Sequence, residues 1–73
     1  MTYRAKVDNI NKKQSGIYAP CVHTDKGFAA LPEELRDAVE VGDEVVVYSN
    51  HDLTLGGFSA LVIETSRCKL SDI

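Results

Sequence analysis

The sequence predicts an α+β fold: a small bent antiparallel sheet or half-barrel of about five short strands, with one short helix at about residues 32–40. Three observations carry that expectation. Tyr3, Ala5 and Val7 alternate with polar residues, and Val45-Val46-Val47-Tyr48 is a β-branched run; both are strand signals. Leu31, Leu35, Ala38 and Val39 recur at helical spacing behind Pro32. Glycine-bearing turns separate these segments.

In order, the alternation of Tyr3 to Asp8 reads as a first strand with one buried face. Residues 9–16 are polar and read as a mobile loop. Residues 17–23 read as a second strand, which Pro20 places near an edge or a bulge. Asp25-Lys26-Gly27 is a turn in which Gly27 supplies a positive φ. Residues 28–31 are a short third strand or an extended lead-in.

Pro32 suits the first helical position, where its missing N–H costs nothing. Glu33 and Glu34 stand in the first turn, where the helix dipole favours negative charge. Gly42 closes the helix or the connection after it. A helix this short is not stable alone, so it must lie against the sheet. Residues 45–48 are the surest strand. Residues 53–55 read as a brief strand, Gly56-Gly57 as a tight turn or bulge, and residues 58–64 as the last strand.

With 73 residues the chain has room for one domain, read as 1–73 with a polar tail from about residue 66 that is compatible with disorder. Apolar residues make up 44% and charged residues 26%, a globular balance. No apolar run is long enough to span a bilayer, and no secretory signal is visible. Cys21 and Cys68 are too few for a disulfide framework. The expected setting is therefore the cytoplasm, or the host cytoplasm if the gene is carried by a phage.

The net charge of −3 hides a split: residues 1–26 sum to +3 and residues 27–73 to −6. A basic edge on an acidic body suits an acidic partner. Arg4, Lys6, Lys12 and Lys13, with Tyr3 and Tyr18 interleaved, are the candidate partner-binding residues. Basic and aromatic residues together can stack bases or anchor a protein interface; the competing reading is a solvated outer face.

Other constellations point less far. Cys21, His23, His51 and Cys68 have the residue types of a zinc set, but close ligand pairs do not occur twice. The expectation is a buried Cys21, two surface histidines and no metal or cofactor. Cys21 with His23 could be a nucleophile and base, but neighbours on one strand face project in parallel. The carboxylates at 33, 34, 37, 43 and 44 are expected to face water or cap a turn. Gly56-Gly57 lacks the rest of a phosphate loop. No catalytic residue is assigned, and the chain is expected not to be an enzyme.

Gly27-Phe28-Ala29-Ala30-Leu31-Pro32-Glu33-Glu34-Leu35-Arg36, followed by Val41-Gly42-Asp43-Glu44-Val45-Val46-Val47, resembles the swapped-hairpin family of AbrB-like and MazE-like regulators. The resemblance covers residues 27–48. It departs in the shorter span from Arg36 to Asp43, in Ala38-Val39 where the family has Leu-Gly, and in the acidic body. It implies a dimeric DNA-binding transcription regulator or antitoxin, with Arg4, Lys6 and Arg36 on phosphates. By size and charge alone the chain also looks like small phage-encoded inhibitors of host RNA polymerase. The function expected first is a non-enzymatic regulator docking on a larger protein complex with an acidic surface, and DNA binding is the alternative. Nucleic acid is disfavoured by net charge, a membrane is not expected, and a homodimer fits either reading.

Overall fold

The computed structural model describes residues 1–14, 16–52 and 57–69. Five strands form in chain order: β1 (Thr2–Asn11), β2 (Cys21–Thr24), β3 (Gly27–Ala30), β4 (Glu44–Ser49) and β5 (Ala60–Glu64). They close into a barrel in the order β1-β2-β3-β5-β4. All pairings are antiparallel except β3 with β5, which run parallel at Ala30 and Leu61. Three consecutive hairpin-linked strands and a fourth returning beside the first make this a Greek-key barrel, the architecture of which OB-type barrels are an example. No helix among the described residues is long and apolar enough to cross a membrane.

The strand readings survive with shifted ends. β1 runs to Asn11, past the point where the alternation breaks. The reason is a bulge: Val7 pairs with Thr24 but Asn9 with His23. The extra residue changes phase. Ala5 and Val7 face the core before the bulge, and Ile10 rather than Asn9 packs on it afterwards. β2 starts only at Cys21, after Pro20. The turn at Asp25–Gly27 is present, with Gly27 at φ 112°. The strand expected at 53–55 and the glycine at 56 lie outside the described residues.

The α+β expectation is overturned. There is no α-helix among the described residues and the sheet is a closed barrel, not a half-barrel. Residues 32–40 hold only a 3-10 turn at Glu33–Leu35. The backbone bonds Leu35 N to Pro32 O, Arg36 N to Glu33 O and Ala38 N to Leu35 O all span three residues. Two physical causes fit. The segment is below the length at which a helix nucleates well, and Asp37 and Val39 are weak helix formers. Asp43 also takes the backbone N–H of Glu40 on Oδ2 at 2.9 Å, which draws the chain into the next turn.

The apolar spacing was nevertheless meaningful. Leu31, Leu35 and Val39 are all buried in the barrel core, delivered by turns that rise faster per residue than an α-helix. The largest fully buried side chains are Leu35, Val7, Val22, Val45, Val47 and Val62. None of them is aromatic.

Candidate interaction face

The face begins with the phase of β2 and β3. Val22, Thr24 and Ala29 turn inward, so His23 and Phe28 are on the outer side; Cys21 shares their side of the strand but is itself buried. His23 pairs across the ladder with Phe28, and their rings meet edge-on at 4.6 Å. Two connections add rings from elsewhere in the chain. Tyr18, ahead of β2, lies 5.5 Å from Phe58, ahead of β5. Phe58 lies 6.2 Å from Phe28. The result is a row, Tyr18–Phe58–Phe28, flanking an open groove of about 340 Å³ to which Asn11 and Cys21 also contribute. Ile17 is next to Tyr18 and is 78% exposed.

Local chemistry fixes the row. Gly57 has φ +87°, and a Cβ there would stand 2.7 Å from Tyr18 Cδ1; the tyrosine ring lies on bare backbone. Asp8, on the bulge, meets His23 Nδ1 at 2.5 Å and orients the imidazole beneath Phe28. A carboxylate only accepts, so Nδ1 carries the proton. Burial pushes the Cys21 thiol up from its ordinary value, which disfavours the thiolate that nucleophilic chemistry needs. Among the described residues, no three of His, Cys, Asp or Glu are grouped to hold a metal. Cys21 and Cys68 are free thiols.

The residues expected to bind a partner divide. Tyr18 is in the row, and Lys12 and Lys13 follow Asn11 at its end. Asn11 Oδ1 accepts the backbone N–H of Lys13 at 3.1 Å, a turn just past the groove residue Asn11; both lysines are exposed and neither lines the groove. Tyr3 is not an exposed anchor; it is half-buried against the core. Arg4 is bound to Glu44 at 3.1 Å across β1 and β4. Lys6 is exposed on β1, and its backbone N–H donates to Asp25 Oδ1. Arg36 is half-buried, with Nε enclosed and unpartnered among the described residues.

Two of these cations, Arg4 and Lys12, pair across the two charge halves, with Glu44 and with Asp37 at 4.0 Å. Within the acidic half, Arg67 bridges Asp43 and Glu40, and Lys69 lies 4.0 Å from Glu64. Sequence reasoning missed Phe28, Phe58, Gly57 and Asn11 as members of one face, because they come from three separate segments. One signal was available: with Ala29 facing inward, alternation sends Phe28 outward. No protein-family model, curated protein or solved structure matches this chain.

Proposed function

We propose that the chain is a non-enzymatic regulatory protein that docks on a larger protein complex through the row Tyr18–Phe58–Phe28. One observation carries this reading. Both phenylalanines of the chain stand outside a barrel core that is filled without them. Burying a phenylalanine stabilises a fold by about 1.5–3 kcal/mol, and a small domain has few such groups to use. Phe28 instead is 57% exposed. Contiguous exposed aromatics mark interaction surfaces, and rings of this kind dominate protein interfaces.

Five-stranded Greek-key barrels also take oligonucleotides on the β2–β3 side, but the fold does not choose the ligand. Charge favours protein. The chain carries net −3, and of its eight lysines and arginines Arg4, Lys12, Arg67 and Lys69 lie within 4.0 Å of carboxylates, while Lys6, Lys13 and Lys26 are exposed without one among the described residues. A phosphate track needs free cations in series. Size and charge make bacterial RNA polymerase the named candidate partner.

The test is capture from nuclease-treated bacterial lysate, with purified RNA polymerase as a direct arm, comparing the wild-type chain with Phe28→Ala. The expected result is a specific protein partner whose affinity falls about 30-fold in the variant, the effect of a 2 kcal/mol anchor, while circular dichroism is unchanged. Equal capture by the variant overturns the reading. So does binding that disappears with nuclease, or a duplex shift at low salt that exceeds protein binding.

A further inference from the structure

Resting on the docking reading, we infer that the groove beside the Tyr18–Phe58–Phe28 row takes an extended, proline-bearing segment of the partner protein that also carries one or two acidic residues. Shape is the first reason. Neighbouring rings stand 5.5 and 6.2 Å apart and are tilted by 47° and 37°. Rings at these separations pack on one another, and their tilts make a ridged rather than a flat wall to the groove. A polyproline II segment advances about 3.1 Å per residue, so residues two apart are spaced by about 6 Å, close to the ring spacing. Aromatic-lined grooves hold such segments because the ligand is already extended and loses little entropy. The edges of β3 and β5 meet at Ala30 and Leu61, which leaves little length for adding a further strand, and the aromatic side chains supply the hold.

Charge is the second reason, and it sets the number of acidic groups. Lys13 is exposed and its backbone N–H is bonded to Asn11, which lines the groove. Among the described residues Lys13 has no carboxylate within 4.0 Å, whereas Lys12 shares Asp37. Asp8, the acidic group beside the face, is engaged with His23. One free cation and one shared cation complement one or two carboxylates. They do not complement a chain with a charge on every nucleotide. Asn11 adds a side-chain amide for a backbone carbonyl of the segment.

The experiment titrates synthetic peptides of roughly ten residues, the length of a short polyproline II segment, into the full ¹⁵N-labelled chain at low salt. One peptide alternates proline with alanine and carries two aspartates; a second replaces the aspartates by lysine; a third replaces the prolines by glycine. Oligo-dT is the fourth probe. The first peptide is expected to shift amides of Asn11, Lys12, Lys13, Tyr18, Phe28 and Phe58. The second and third are expected to bind at least tenfold more weakly. Lys13→Glu is expected to weaken the first peptide at least fivefold without altering the spectrum of the free chain. No shifts with the first peptide, equal binding of the glycine peptide, or tighter binding of oligo-dT overturns the inference. If the peptides fail but Phe28→Ala still weakens capture of the larger partner about 30-fold, the docking reading stands and only the ligand assignment falls.

Discussion

Gly57 carries two constraints that can be separated by substitution. Its φ of +87° disfavours any side chain, and the Tyr18 ring occupies the place of its Cβ. Gly16 has the first constraint alone: φ is +59° and nothing lies within 4 Å. Holding alanine in the left-handed region costs on the order of 1–3 kcal/mol at either site. Gly57→Ala is therefore expected to lower stability more than Gly16→Ala, because Tyr18 must also move. The ring resonances of Tyr18 and Phe58 should shift in the Gly57 variant and stay in place in the Gly16 variant. Equal losses and unmoved rings would show that the Tyr18 contact does not hold the face. Nothing in the sequence around Gly57 announces this role, since the ring it seats is about forty residues away in the chain. Tyr18 stands out in the sequence as an aromatic in the same third of the chain as Lys12 and Lys13. Its seat does not.

At the scale of elements, the connection from Leu31 to Asp43 shows what sequence periodicity can and cannot say. Spacing identified Leu31, Leu35 and Val39 as buried, because both a helix and successive 3-10 turns return a side chain to one side every three or four residues; it did not hold for Ala38, which is only half-buried. Spacing did not identify the backbone, because that depended on a contact from a later segment. Thr65 Oγ1 accepts the backbone N–H groups of Arg67 and Cys68 at 3.1 Å each. This turn presents Arg67 to Ala38 O, Asp43 and Glu40. Asp43 is held below the usual carboxylate range, first by the Glu40 backbone N–H and then by the Arg67 guanidinium. A carboxylate whose pKa falls on folding stabilises the fold above its unfolded value, about pH 4, and that stabilisation is lost as pH drops through the folded value. Urea midpoints should therefore place the wild-type chain above Asp43→Asn at pH 7, with the gap closing under acid. A gap that keeps its size in acid would show that the contact is one of shape and not charge. Added salt should narrow the neutral-pH gap as well, since the Arg67 side chain is about half exposed, though only in part, because Asp43 is largely covered.

For the whole molecule, the barrel and the face are two separate uses of apolar surface. The alternation of the first strand and the β-branched run at Val45–Val47 were legible because inward residues alternate along the chain. Closure was not, since it depends on the bulge in β1 and on the parallel meeting of Ala30 with Leu61, residues far apart in sequence. The two uses predict opposite outcomes for comparable deletions. Leu35 is fully buried at 0% exposure, so Leu35→Ala should cost about 2–5 kcal/mol. A chain of this length has only about 4–11 kcal/mol of stability in total. That loss should lower Tm by roughly 10 °C or more, or unfold the chain outright. Phe28→Ser removes a larger side chain, yet one that contributes to the outside of a core already filled. Its cost should be about 1 kcal/mol or less, near the range of ordinary surface changes. Binding should follow the reverse order: abolished by Phe28→Ser in a folded chain, and intact in Leu35→Ala at temperatures where that variant remains folded. Thermal melts paired with a binding isotherm for each variant decide the matter. If Phe28→Ser melts as low as Leu35→Ala, the phenylalanine belongs to the core after all, and its position over the groove says nothing about a partner.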